Sequence, residues 1–173
     1  NPDLPEANLN LGNILRNLGK LEEAEIALIK TLEIKPDYAI AHLNYGGILQ
    51  DLGKFRDAEL STRKAIELNP DFAMSYSNLG LILRDLGKLK EAEIELRKSI
   101  KIDPNFSNAH SNLGVILKDL GKLQEAALYQ RKAIEIQPDC DNAYYNLGNI
   151  LNALGNLKEA ELSTRKAIEL NPN

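Results

Sequence analysis

Tryptophan is absent from this 173-residue chain, cysteine and methionine occur once each, and aromatic residues make up only 5%. The single Cys140 excludes an internal disulfide and fits a reducing, cytoplasmic setting, where a lone thiol usually packs as a small hydrophobe. A basic surplus is missing as well. The 21 Lys and Arg stand against 25 Asp and Glu, a net charge of -4, which argues against nucleic acid as a partner. No apolar run approaches the ~20 residues that cross a bilayer and no signal-peptide pattern opens the chain, so no membrane contact is expected. The start at Asn1-Pro2-Asp3-Leu4, without Met, reads as a piece of a longer chain. With 43% hydrophobic and 27% charged residues, the composition is that of a folded protein and not of a disordered tail.

One spacing organises everything else. Pro36, Pro70, Pro104, Pro138 and Pro172 recur every 34 residues. Gly12, Gly46, Gly80, Gly114 and Gly148 keep the same step, as do Gly19 and Ala24 with their successors. The segment "AELSTRKAIELNP" occurs identically at 58–70 and 160–172, the mark of duplicated units. The repeats are 5–38, 39–72, 73–106, 107–140 and 141–173, with residues 1–4 as the tail of a preceding repeat. No linker or low-complexity stretch separates them, so 1–173 reads as one array.

Each repeat encodes two helices. In the fourth, Ala109, Leu113, Ile116, Leu117 and Leu120 fall on one face of a helix expected over 108–120. Gly121 can end it in the left-handed conformation. A second helix is expected over 123–136, with Ala126, Leu128, Ala133, Ile134 and Ile136 apolar, and Pro138 stops it. Gly114 is costly inside a helix, which points to close approach of the two helices there, with Ala126 opposite. On the second helices Glu59 precedes Arg63, Glu93 precedes Arg97 and Glu161 precedes Arg165 by four. Arg63 precedes Glu67, and Arg131 precedes Glu135, at the same spacing. The expectation is a solvated, self-paired outer face and not a basic binding stripe.

With Leu113-Gly114, Gly121, Ala126, Ala133 and Pro138 at their spacings in the unit 108–139, and five such copies in tandem, the chain resembles the tetratricopeptide repeat family. The resemblance implies an all-α, right-handed α-solenoid of antiparallel helix-turn-helix repeats. First helices would line its concave face and second helices its convex face. Two departures stand out. The fourth place, often Trp in the family, holds Asn8, His42, Tyr76, His110 and Tyr144; the twenty-fourth, often aromatic, holds Leu28, Thr62, Leu96, Gln130 and Thr164. Packing should therefore be more aliphatic than usual, with Tyr38, Phe72 and Phe106 after the Pro turns supplying part of the bulk.

The second, fifth, sixth, ninth, twelfth and thirteenth places of each first helix are expected to be unburied, opposite the packing stripe. The sixth is always Asn: Asn10, Asn44, Asn78, Asn112 and Asn146. An amide offers both donor and acceptor, so such a ladder could hold an extended chain by its backbone. In this it is similar to the asparagine ladder of O-linked N-acetylglucosamine transferases. The other reading is an inherited structural amide that bonds a neighbouring helix. Flanking places supply Arg16, Arg84 and Lys118 at the twelfth and Asp51, Asp85 and Asp119 at the thirteenth, read as a salt-bridged row. The family's clamp for terminal carboxylates wants Lys or Arg at the second, fifth and sixth places. Here the sixth is never basic and the fifth is Leu9, Leu43, Ser77, Ser111 or Tyr145, so that ligand class is rejected.

Catalysis has little support. His42 and His110 lie two repeats apart, no Cys/His set has zinc spacing, and no glycine forms a phosphate loop, so neither cofactor nor metal is expected. Three functions follow. The first is a scaffold module whose groove holds a protein or extended peptide; the second is the substrate-targeting region of a larger transferase. The third is a self-associating array, stacked head to tail through open ends where Leu162 and Ile168 leave apolar surface.

Overall fold

The computed structural model describes residues 4–172. Among them are ten helices and no strand: α1 (Pro5–Asn17), α2 (Leu21–Ile34), α3 (Ala39–Asp51), α4 (Phe55–Leu68), α5 (Ala73–Asp85), α6 (Leu89–Ile102), α7 (Ser107–Asp119), α8 (Leu123–Ile136), α9 (Asp141–Ala153) and α10 (Leu157–Leu170). Odd-numbered helices are the first helices of the repeats and even-numbered ones the second. Each first helix ends in the same turn. Gly19 sits at φ 73°, its N–H donates to the Arg16 carbonyl at 3.0 Å, and the Lys20 N–H donates to the Leu15 carbonyl at 2.9 Å. A left-handed residue closes the last turn this way, and glycine takes that conformation without steric cost. α7 stops at Asp119, one residue before the expected end, because Leu120 already belongs to this turn.

The chain divides into two compact units, Asn1–Leu86 and Gly87–Asn173. In the first, α1 packs along α2, α3 along α4, and α5 lies against α3 and α4. Leu9, Ala24, Ala27, Leu28, Ala41 and Ile48 form its core, flanked by Leu15, Leu32, Tyr38, Tyr45 and Leu52. Leu49, Ala58 and Ile82 continue the core toward α5. In the second unit α7 pairs with α8 and α9 with α10, while α6 lies against α7. Within each unit the backbones of neighbouring first helices approach one another, α1 to α3 to α5 and α7 to α9; those of the second helices, α2 and α4 or α8 and α10, stay farther apart. The layer of first helices is therefore the inner, tighter one in each unit.

The helix pairs meet through glycine at the eighth place. A Cβ on Gly114 would lie 2.6 Å from the Gln130 amide nitrogen and 3.1 Å from the Ala126 carbonyl oxygen. Gly46 meets Thr62 and Gly148 meets Thr164 in the same way, so the twenty-fourth place fills the space that glycine leaves. Gln130 is 0% exposed, and its amide is hydrogen-bonded at both ends. Its Nε2 donates to the Ser111 carbonyl at 2.9 Å, and its Oε1 accepts from the Ser111 hydroxyl at 3.0 Å. The fourth-place histidines latch the Pro turns: the ring Nε2 of His42 donates to the Pro36 carbonyl at 2.8 Å, and that of His110 to the Pro104 carbonyl at 2.9 Å.

Three expectations need correction. The fifth place is not open: Leu9, Leu43, Ser77 and Ser111 are buried, Leu43 to 1%, and only Tyr145 is exposed. A residue there stands at the edge of the packing stripe, where a neighbouring first helix can cover it. Leu128 faces solvent, while polar Gln130 takes the buried place two residues on. The exposure of Leu162 is not an end effect either. Ile26, Leu60, Ile94 and Leu128 occupy the same twenty-second place and are all exposed.

Candidate functional site

The open face of the inner layer is clearest on α9. Ala143, Leu147, Gly148, Ile150 and Leu151 are buried on one side. Asn142, Asn146, Asn149 and Asn152, at i, i+4, i+7 and i+10, run along the other. This amide row follows from helical spacing, but it escapes a reading made only across repeats. On the ladder itself, Asn10 is exposed and Asn44, Asn78, Asn112 and Asn146 are half-buried. Asn44 donates from Nδ2 to the Asn13 carbonyl oxygen of the preceding repeat at 2.9 Å. The side chains of Asn10, Asn78 and Asn146 make no hydrogen bond to any described residue.

Charged groups at the twelfth and thirteenth places meet across repeat junctions. Arg16 Nε donates to Asp51 Oδ2 at 2.6 Å, and its guanidinium lies over Gly47, where a Cβ would come within 2.9 Å of Nη1. One repeat on, the Gln50 amide donates to Asp85 Oδ2 at 2.6 Å. The second unit breaks this pattern. Ala153 follows Lys118 at the thirteenth place of the next repeat, and Lys118 Nζ lies 4.0 Å from Asp119 Oδ1 on its own helix. Arg84 belongs to α5 of the first unit and Asp119 to α7 of the second.

The outer helices carry more than self-pairing. Arg63–Glu59, Arg97–Glu93 and Arg165–Glu161 form at 2.8 Å as expected. Glu67 and Glu135, however, are taken by Lys64 and Lys132 three residues before them, at 2.8 and 2.7 Å. The arginine Arg131 instead reaches Glu159 of the next repeat at 2.6 Å, and Arg97 reaches Glu125 at 2.6 Å. Lys54–Glu25 and Lys122–Glu93, both at 2.7 Å, bridge repeats from the sixteenth place to the twenty-first. Burial works against the Glu93 carboxylate, but the hydrogen bonds from Lys122 and Arg97 outweigh it and hold its carboxyl below the usual range.

A cleft of about 400 Å³ opens beside α3 and α4, lined by Leu32, His42, Tyr45, Leu49, Asp57, Leu60, Ser61 and Lys64. His42 is engaged by the Pro36 carbonyl, and the Ser61 hydroxyl donates to the His42 carbonyl at 2.9 Å, so both are tied to the backbone of the first unit. Among the described residues no three His, Cys, Asp or Glu side chains gather as a metal cage, and no helix is long and apolar enough to cross a membrane. Cys140 is a free, half-buried thiol at the head of α9.

A stack of two-helix repeats closed by glycine turns defines the class of protein, a helical repeat scaffold. The tetratricopeptide repeat description matches residues 5–38, 39–72 and 107–140, with further matches over 62–94, 80–121 and 142–173. The chain belongs to the tetratricopeptide repeat family. Among solved structures it is similar to MamA, with 25% identity, TM-score 0.74, and coverage of 97% of this chain and 92% of that one. It is also similar to YrrB, described as a TPR protein with an unusual peptide-binding site, at 25% identity, TM-score 0.68, and coverage of 100% and 89%. TTC0263, a thermophilic TPR protein of Thermus thermophilus, shares the fold, with TM-score 0.88 at 21% identity over 98% of this chain and 93% of that one. No curated protein matches the chain. The repeats and these neighbours support a protein-interaction scaffold. Repeats of this kind bind proteins or peptides, and a fold made of them alone is typically non-catalytic.

Proposed function

We propose that the chain is a peptide-binding scaffold whose five repeats act as one array and hold an extended segment along the first-helix face. The ladder Asn10, Asn44, Asn78, Asn112 and Asn146 would grip the peptide backbone. Arg16, Arg84, Lys118, Asp51, Asp85 and Asp119 would border it. The carrying observation is that the Asn78 and Asn146 amides are half-buried yet bond to no described residue. Amides so placed stay open to solvent and bond water in the free chain, and a peptide backbone, with both N–H and C=O, can take the place of that water. A purely structural role accounts for Asn44, tied to Asn13, and leaves these two unexplained. The peptide-binding description of YrrB supports the same reading. Peptides selected on the whole chain from a display library provide the test. Asn78→Ala with Asn146→Ala should weaken them about tenfold or more, two hydrogen bonds' worth, while helicity and melting stay nearly unchanged. Lost stability with unchanged affinity would overturn the reading.

A second reading, self-association, has its own observation. The tenth place is 0% exposed at Ile48, Ile82, Ile116 and Ile150, but Ile14 is 56% exposed. At the twenty-eighth place Leu32, Ile66, Ile100 and Ile134 are half-buried, but Ile168 is 59% exposed. A further repeat of the same chain, or a second copy seated head to tail, would cover each as neighbouring repeats cover their equivalents. Light scattering across a concentration series should then show assemblies that Ile14→Lys dissolves. A monomer at the highest concentration rejects this reading.

A further inference from the structure

We infer that the α7–α9 face reads an acidic side chain: Lys118 takes an Asp or Glu of the bound peptide, and the Asn row of α9 holds the backbone beside it. The inference rests on the peptide-binding reading above and gives it a chemistry. Three observations carry it.

The first is a missing partner. The chain itself shows what a twelfth-place donor does when it has an acid across the junction: Arg16 closes on Asp51 and Gln50 on Asp85, each at 2.6 Å. Lys118 has Ala153 in that position. Its contact with Asp119, at 4.0 Å between neighbours on one helix, is at the outer limit of an ion pair and in water is worth next to nothing. The second is the surroundings. On α9 the open face is Asn142, Asn146, Asn149 and Asn152, neutral amides that neither repel a carboxylate nor neutralise the lysine. The third is direction. Asn146, one repeat beyond Lys118, makes no hydrogen bond to a described residue, so a backbone can pair with it while a side chain reaches the ammonium. A carboxylate is the complementary group for a cation so placed, and a phosphorylated side chain shares that chemistry.

The test selects random ten-residue peptides on the whole chain by display, and repeats the selection on Lys118→Ala, Lys118→Glu and Ala153→Asp. Asp and Glu should be enriched about threefold or more at one peptide position, the gain an exposed ion pair gives. Lys118→Ala should return them to library frequency, and Lys118→Glu should favour Lys and Arg there. Ala153→Asp is the decisive variant. It leaves the lysine in place but supplies the partner that Asp51 supplies to Arg16, so the acidic preference should fall while the fold gains a contact. Phosphopeptides synthesised from the winning sequences separate the two sources of negative charge. Peptides that lack an acidic preference but lose affinity with Asn78→Ala and Asn146→Ala overturn this inference alone. An acidic preference unchanged by Lys118→Ala overturns it too. Peptides indifferent to the Asn substitutions, or an empty selection, overturn the groove reading and this inference with it.

Discussion

Lys54 reaches across a repeat junction to Glu25, its ammonium 2.7 Å from both carboxylate oxygens, and Lys122 repeats the contact with Glu93 at 2.7 Å. The hydrogen bond to Glu25 holds the Lys54 ammonium above its ordinary range. At the junction of the fourth and fifth repeats both members change together, to Ala127 and Asn156. The ion pair of those two junctions is therefore missing from this one. Ala127→Glu with Asn156→Lys should raise the melting temperature by about one to three degrees beyond the sum of the single changes. The gain should fade only in part in concentrated salt, because the lysine place is half exposed while the carboxylate place is largely covered, Glu25 to 17% and Ala127 to 2%. Thermal melts of the four chains at low and high salt measure it.

Glu93 gives the pH dependence a sign. Its carboxyl is held below the usual range by Lys122 and Arg97 in the fold, and returns to an ordinary value on unfolding. A depressed folded pKa contributes stability above the unfolded pKa of about 4.3, and loses it as pH falls through the folded value. The wild-type chain should therefore lose stability on acidification below about pH 5 more steeply than Glu93→Gln. Denaturant melts between neutral pH and about pH 3 should show the two chains converging in acid. Parallel curves would remove Glu93 from the acid response.

Gly46 and Gly47 are adjacent, but alanine should affect them in opposite ways. At Gly46 a Cβ meets the Thr62 hydroxyl and comes 3.2 Å from the rigid Ala58 carbonyl oxygen. The helices must separate there, and Gly46→Ala should cost about 1–3 kcal/mol. At Gly47 the obstacle is only the guanidinium of Arg16, the mobile end of a long side chain. Gly47→Ala should gain up to about 1 kcal/mol of helix propensity, less the exposed Arg16–Asp51 contact it disturbs. Chemical denaturation of the two single variants separates the cases, and equal losses would contradict the geometry.

The helix pairs, their glycine turns and the close approach at Gly114 were legible because they are periodic: each repeat states the same rule again. The ladder places were legible for the same reason. Features that depend on a neighbouring repeat were not. The fifth place belongs to the open side by angle alone, yet Leu9 and Leu43 are buried once a second first helix lies alongside. Arg131 has Glu135 four residues on, but bonds Glu159 in the next repeat instead. Comparing sixteenth and twenty-first places between consecutive repeats would have revealed such contacts, since Lys54 with Glu25 and Asn156 with Ala127 change in concert. Within α9, the row Asn142 to Asn152 needed only helical spacing, applied along one helix and not across five.

Thr62 and Gln130 occupy the same place in their repeats and should respond differently to losing polarity. The Gln130 amide is buried and satisfied twice by Ser111. Gln130→Ala removes both bonds, leaves the Ser111 hydroxyl without its partner and opens space beside Gly114, for a loss of about 2–4 kcal/mol. The Thr62 hydroxyl is buried against Gly46 with no hydrogen-bond partner. Thr62→Val keeps the shape and removes a polar atom that gains nothing, so it should stabilise the fold by about 0.5–1.5 kcal/mol. The twin site discriminates: the Thr164 hydroxyl donates to the Ala160 carbonyl at 2.9 Å, so Thr164→Val should gain less than Thr62→Val. Equal gains would show that the burial of Thr62 and not its lost bond sets the effect, and denaturant midpoints of the three variants decide it.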